Sequence, residues 1–216
     1  MEEEKPTPMD AQAMGVSCIV PAYNEAQRIA EVLQTLEADR TLAEIIVVDD
    51  GSTDQTAAVV APFVARDARF RLLRLPLNQG KAAAMVAGAA CASSDVILFL
   101  DADLRGLRLD HLRALTEPVL RGECAMTLGR FVKPDGRADV AHAVSHLLTG
   151  ERCLRWSLFC TAPGLLSARY GAETALNKHA HNERLATQTV SLVGLAHCSK
   201  IAKRGWLGGL LLYYQM

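Results

Sequence analysis

Asp101 and Asp103 sit two residues apart, directly after the apolar run Val96-Ile-Leu-Phe-Leu100. Side chains at i and i+2 share one face of an extended chain, and where such a strand ends and the chain turns, both carboxylates can converge on one hard divalent cation. Oxygen ligands of this kind suit Mg2+ or Mn2+, ions that complete their shell with water and substrate phosphates. The implied chemistry is a cation holding a diphosphate. A D-x-D pair alone is also found in ordinary polar loops, so its place after a buried run and beside other polar clusters is what favours the metal. Gly80-Lys81 is a second candidate, because backbone N–H groups and a flexible ammonium there can meet a phosphate or a base edge. A solvated loop lysine is the alternative. Arg152 and Arg155 lie three apart on what reads as a helix; they can clamp a phosphate or simply form its wet face. His142, His146, His179 and His181 have no supporting spacing and read as structural or solvent-facing.

The elements that must carry these groups follow from the apolar pattern. Val16-Ser-Cys-Ile-Val20 is a β-branched run stopped by Pro21, which cannot donate to a central ladder. Asn24 can cap a helix over Glu25 to Leu36, where Ile29, Val32, Leu33 and Leu36 recur at helical spacing. Glu44-Ile-Ile-Val-Val48 is a second buried strand ending at Asp49-Asp50-Gly51-Ser52, after which Thr53 or Asp54 can cap a helix to about Ala65. Arg71 to Leu75 is a third strand, Ala82 to Cys91 a small-residue helix, and Asp95 to Leu100 a fourth strand. Strand and helix alternate throughout, as in a doubly wound, mostly parallel α/β sheet flanked by helices. Ligands of such sheets sit beyond the carboxyl ends of the strands. Tyr23-Asn-Glu25, Asp49-Asp50, Gly80-Lys81 and Asp101-x-Asp103 all fall at such ends.

Beyond Leu104 the pattern loosens. Leu109 to Leu120 reads as a helix, Cys124 to Phe131 as a strand against the sheet, and Lys133 to Asp139, with Pro134 and Asp135-Gly136, as a mobile loop. Helices over Ala172 to Ala180 and Trp206 to Tyr214 flank a strand near Thr187 to Leu192. No repeat or linker appears, so the reading is one domain over 16–216 after a flexible lead-in, 1–15.

Composition narrows the function classes. The chain has 216 residues, 50% hydrophobic and 22% charged, with only 15 Gly and 8 Pro, which excludes collagenous and disordered classes. At this length folding buries roughly 70% of the unfolded surface, so crosslinks are not needed for a core. A net charge of −1 offers no general attraction for nucleic acid. The six cysteines, Cys18, Cys91, Cys124, Cys153, Cys160 and Cys198, include no C-x-x-C pair and read as reduced thiols of a cytoplasmic protein. The acidic start MEEEKPTPMDAQAMG does not have the form of a signal peptide. Leu207 to Tyr214 is apolar on nearly all sides but far shorter than the roughly 20 residues of a bilayer span. Burial against the core or in a homodimer is expected for it, with peripheral membrane contact the alternative. Neither the G-x-x-x-x-G-K-[ST] phosphate loop nor the G-x-G-x-x-G fingerprint occurs, which disfavours ATPase and dinucleotide-dependent dehydrogenase readings.

The ordered motifs V-P-A-Y-N-E (Val20 to Glu25), V-V-D-D-G-S-T-D (Val47 to Asp54), N-Q-G-K (Asn78 to Lys81) and F-L-D-A-D-L (Phe99 to Leu104) resemble those of the family 2 glycosyltransferases of GT-A fold. That resemblance implies a division into a nucleotide-sugar half, 16–104, and an acceptor half, 105–216. It implies that Pro21, Ala22, Tyr23, Glu25 and one of Asp49 or Asp50 hold the nucleoside, most often uridine, with Ser52, Gly80, Lys81 and Ala102 in the same site. Asp101 and Asp103 would hold Mg2+ or Mn2+ on the diphosphate. The second half is similar to the glucosyl-3-phosphoglycerate synthase-like members through Leu148-Thr-Gly-Glu151 with Arg152, Tyr170-Gly-Ala-Glu173 and Gly194-Leu-Ala-His197. This implies His197 as a third metal ligand and Glu173 as a contact to the transferred sugar or acceptor hydroxyls. The chain differs from those synthases in being short and in lacking an evident basic segment for phosphoglycerate.

The expected activity is therefore metal-dependent transfer of a hexose from a nucleotide diphosphate sugar, a UDP-sugar first among them. The acceptor is left open between a phosphorylated small molecule and a polyprenyl phosphate. Asp103, Glu173 and Arg152 are the catalytic candidates, Glu173 as a base if the transfer inverts configuration. The competing expectations are a nucleotidyltransferase and a non-catalytic nucleotide-sugar-binding protein.

Overall fold

The computed structural model describes residues 15–133, 149–165 and 171–197. The apolar runs of the first half form β1 (Val16–Ala22), β2 (Leu42–Asp49), β3 (Phe70–Arg74) and β4 (Val96–Phe99). Between them lie α1 (Ile29–Ala38), α2 (Thr56–Arg66) and α3 (Lys81–Ala90). β1 pairs with β2 and β4, and β2 with β3, all parallel, as strand–helix–strand crossovers require.

The second half contributes β5 (Leu104–Arg105), α4 (Leu109–Leu120), β6 (Met126–Val132), β7 (Arg152–Arg155), α5 (Trp156–Thr161), α6 (Ala172–Asn182), β8 (Thr187–Val193) and β9 (Ala196–His197). The main sheet has the order β3-β2-β1-β4-β7-β6-β8, and β5 pairs with β9 in a small second sheet. β7 runs antiparallel to both β4 and β6, whereas β6 and β8 are parallel. Alternation along the strands sorts the core into two layers. Val16, Cys18 and Val20 pack with Leu33 of α1, Val60 of α2 and Leu115 of α4, while Ile19 packs with Met85 of α3, Leu158 of α5 and Leu176 of α6.

Five expectations from the sequence are corrected. Arg152 and Arg155 stand on a strand, not a helix, because Cys153 and Leu154 complete a ladder between β4 and β6. β1 continues through Pro21 to Ala22; Pro21 pairs only on the β2 side, beyond the last residue that β4 matches, so its missing donor breaks no ladder. Asn24 does not cap α1, which begins at Ile29; in the left-handed region at φ 56, its Oδ1 instead accepts from the Thr53 and Asp54 amides. α2 begins at Thr56, whose amide and hydroxyl donate to Asp54. The strand expected from Cys124 forms from Met126 and lies within the sheet. The expected loop residues 134–139 and the expected helix Trp206 to Tyr214 lie outside the described residues. Cys18, Cys91, Cys124, Cys153 and Cys160 are free thiols, as expected; Cys198 lies outside the described residues. No helix among the described residues is long and apolar enough to cross a membrane.

Candidate functional site

A cavity of about 320 Å³ opens at the carboxyl ends of β1, β2 and β4 and is lined by Pro21, Ala22, Tyr23 and Glu25, by Asp50, and by Asp101, Ala102 and Asp103. Asn78, Gly80, Lys81 and Ala84 close the side formed by the start of α3. Two larger hollows, of about 460 and 530 Å³, lie beside α5. The first is lined by Val86, Trp156, Phe159 and other apolar groups, and neither receives the acidic strand ends.

The loops at the nucleotide end brace one another. The Asn24 amide donates to Ser52 Oγ at 3.0 Å, and the Glu25 amide to Thr56 Oγ1 at 2.9 Å. The two oxygens of Asp50 accept from the Gln79 and Gly80 amides at 2.8 Å each, which sets the turn into α3. Gly80 stands at φ 96, a region that L side chains rarely adopt. Asp49 accepts from the Ser52 amide at 2.9 Å and has Arg74 Nε at 3.4 Å. Asp50 thus faces the cavity, whereas Asp49 and Ser52 support its rim without lining it. Tyr23 is exposed and free to present its ring to a base.

At the other end, charge accumulates. Lys81 Nζ lies 2.7 Å from Asp101 Oδ1 and 2.9 Å from Glu173 Oε1. Burial pulls the Lys81 ammonium down, but the carboxylates of Asp101 and Glu173 outweigh it and hold the group above the ordinary lysine range. His197 Nδ1 lies 3.4 Å from Asp103 Oδ1 and 3.9 Å from Asp101 Oδ2, while Nε2 lies 3.8 Å from Glu151 Oε2. Burial depresses the imidazole, yet the bond to Asp103 and the charges of Glu151 and Asp101 raise it to about 9. Burial and the nearby Asp101 charge push the Glu151 carboxyl up. Asp101, Glu151 and His197 each bring a ligand atom within 4.8 Å of the other two. A set of carboxylates and one imidazole, one carboxylate fully buried, fits Mn2+ or Mg2+.

Topology explains how residues so far apart in the chain meet. Phe99 pairs with Arg152 in the antiparallel β4–β7 ladder, so Glu151 falls beside the strand end that leads into Asp101. Leu104 pairs with His197 across β5 and β9, which returns the imidazole to the turn after Asp103. Phe131 packs against that imidazole with its ring tilted by 46°, at 4.8 Å between ring centroids. Arg152 is fully buried and does not face the cavity; its guanidinium donates to the carbonyls of Thr149 and Glu173 and to Asn177 Oδ1. Burial pulls it down to about 10, which leaves it a cation at neutral pH. Reading the sequence picked out Asp101, Asp103, Lys81, Glu173 and His197, all of which the fold gathers here. Glu151 stands in the sequence only as part of the Leu148-Thr-Gly-Glu151 motif, and the strand it precedes, Arg152-Cys-Leu-Arg155, is too short and too charged to single it out.

Residues 17–184 match the family described as glycosyl transferase family 2. Over 123 residues, 53% of the chain, the sequence is 38% identical to a dolichyl-phosphate beta-glucosyltransferase, ALG5A, of Trichomonas vaginalis, of which 38% is covered. Over 95 residues, 42% of the chain, it is 39% identical to an undecaprenyl-phosphate 4-deoxy-4-formamido-L-arabinose transferase of Pseudomonas savastanoi, of which 28% is covered. The chain spans well under half the length of these relatives. Glucosyl-3-phosphoglycerate synthase of Mycobacterium tuberculosis, solved with Mn2+, UDP-glucose and phosphoglyceric acid, superimposes with a TM-score of 0.71 at 25% identity, covering 88% of this chain and 74% of that one. The same synthase has been solved with Mg2+ and UDP. With the α/β sheet flanked by helices and the acidic strand ends where the motifs predicted them, the chain belongs to glycosyl transferase family 2 and has its GT-A fold.

Proposed function

We propose that this chain binds a nucleoside diphosphate sugar, most readily a UDP-sugar, across the 320 Å³ cavity and transfers its hexose to a phosphate-bearing acceptor. One observation carries the reading: a cavity with an exposed aromatic ring and Asp50 at one end has Asp101, Asp103 and His197 converging at the other. The structural neighbour that holds UDP-glucose with Mn2+ supports it. The relatives named for dolichyl and undecaprenyl phosphate support a polyprenyl phosphate acceptor, and the phosphoglyceric acid complex supports a phosphorylated small molecule.

In this reading Tyr23 offers its face to the base, and Glu25 and Asp50 accept from base N–H or ribose hydroxyl groups. Asp101, Asp103 and His197 hold the cation, which supplies positive charge to the departing diphosphate. Lys81, fixed between Asp101 and Glu173, keeps two neighbouring carboxylates from repelling each other and presents residual positive charge to the phosphates. Glu173, held beside Lys81 at the first turn of α6, faces the transferred sugar or acceptor hydroxyl. Arg152 acts from behind by tying the Glu173 carbonyl to the Thr149 carbonyl.

Thermal-shift titration with UDP-, GDP- and ADP-sugars, each with and without Mn2+, tests the reading. Ligands that favour the folded state raise its melting temperature by mass action, so a UDP-sugar should raise it most and only with the cation. No shift with any nucleotide sugar in the presence of Mn2+ would sink it.

A further inference from the structure

Glu151 is fully buried, yet only half of its carboxylate is engaged. Oε2 accepts from Thr149 Oγ1 at 2.5 Å and lies 3.8 Å from His197 Nε2, whereas Oε1 has no hydrogen-bond partner. A buried carboxylate oxygen without a partner is costly, so its retention calls for a specific explanation. The nearby ammonium of Lys81 is already shared by Asp101 and Glu173. The backbone under Glu151 is held tightly: its carbonyl accepts from the Gly129 amide at 2.8 Å, and a Cβ on Gly129 would lie 3.1 Å from the Glu151 Cβ. The carboxylate is therefore aimed from a rigid strand start, next to Asp101 and His197, with one oxygen to spare.

We propose that Glu151 is a further ligand of the divalent cation, a carboxylate delivered by β7 from the wall facing the Asp101–Asp103 turn. This rests on the cation site of the preceding reading and adds a residue to it. A purely structural Glu151 would serve only to close the Thr149 turn, a task for which one hydrogen-bonding oxygen is enough. Glu151→Gln keeps size and that oxygen but removes the charge, so it separates the two roles.

The test uses the full chain and Mn2+ as the probe, with free Mn2+ read by its electron paramagnetic resonance signal. A ligand role predicts that Glu151→Gln weakens Mn2+ binding by at least about tenfold and shrinks the melting-temperature rise that Mn2+ produces. It also predicts a metal-free melting temperature equal to or above that of the wild type, because a buried charge beside Asp101 has been removed. Thr149→Ala, which deletes the local bond and spares the carboxylate, should leave Mn2+ affinity within about threefold, less than an altered ligand shell costs. A lowered metal-free melting temperature with Mn2+ affinity unchanged in Glu151→Gln overturns the proposal and leaves the cation site standing. Failure of the wild type itself to bind Mn2+, with or without UDP, overturns both.

Discussion

Gly150 shows how little room the charged end of the site has. A Cβ there would come within 2.5 Å of Lys81 Nζ and closer still to Asp101 Oδ1. Either the ammonium or the carboxylate would have to move, and both lie where the diphosphate is proposed to sit. Gly150→Ala should therefore weaken Mn2+-dependent UDP-sugar binding by about tenfold or more, equivalent to ~1.4 kcal/mol, when measured by calorimetry. The melting temperature without ligand should change little, because the displaced groups are partly solvated. Equal affinity in the variant would remove the Lys81–Asp101 pair from the donor site. At this scale much was legible: the acids after β4 and the lysine opening α3 were readable because each directly follows or starts an apolar element. The partners they choose were not. Lys81 was expected to meet a phosphate, and the fold also spends its charge on Asp101 and Glu173, which are 20 and 92 residues away in the sequence.

The proposed cation site also depends on how its elements are hung. His197 rides on β9, a two-residue strand held to the equally short β5. Such a short ladder is weak alone, and α4 reinforces it. The carbonyl of Val193 accepts from Arg108 Nη1 at 2.9 Å and faces His111 Nε2 at 3.1 Å, while the Gly194 amide donates to the Val132 carbonyl at 2.8 Å. Because a carbonyl can only accept, the His111 proton must sit on Nε2, and burial, with the neighbouring Arg108 charge, keeps the imidazole below its ordinary value and hence neutral. Joint replacement Arg108→Ala with His111→Gln should lower Mn2+ affinity several-fold, as loss of support around a metal ligand does. Circular dichroism should show the sheet and helices retained; an unchanged Mn2+ affinity would place the control of His197 elsewhere. None of this was visible in the sequence, where His111 is one polar residue in a helical pattern. The misplacement of Arg152 has a related cause. Four residues are too few for periodicity to separate strand from helix, and the pairing with β4 and β6 settles it.

Across the whole molecule, groups that stabilise and groups proposed to do chemistry occupy opposite ends of the sheet. At the amino ends of the parallel strands, Glu44 accepts from Ser17 Oγ at 2.7 Å and from the Ser93 amide at 2.5 Å, tying β2 to β1 and to the approach to β4. Arg69 is held by Asp67 and donates to the carbonyls of Glu37 and Asp39, which joins the end of α1 to the start of β3. Hydrogen bonds from the Arg69 side chain and amide hold the Asp67 carboxyl down at about 2, below its ordinary 3.8. A carboxyl lowered on folding adds stability that is complete above its ordinary value and lost as the pH falls through the folded one. Asp67→Asn should therefore lower the melting temperature at neutral pH, and the gap from the wild type should close as the pH falls from about 4 to about 2. Binding of a UDP-sugar with Mn2+ should be unaffected at neutral pH. A gap independent of pH would show that Asp67 contributes through shape and not through charge.

The alternation of β-branched runs with helical spacing determines the parallel half of this chain by itself, since burial on both faces demands continuous apolar strands and crossovers admit essentially one hand. The same local logic put acids and a lysine at the carboxyl ends. The antiparallel insertion of β7 between β4 and β6, the return of β9 to β5, and the buried carboxylate of Glu151 beside Asp101 depend on pairings between segments about 25 to 90 residues apart. Distance along a chain carries no record of which edges will meet, so those partners emerge only when backbone hydrogen bonds and a shared core select them.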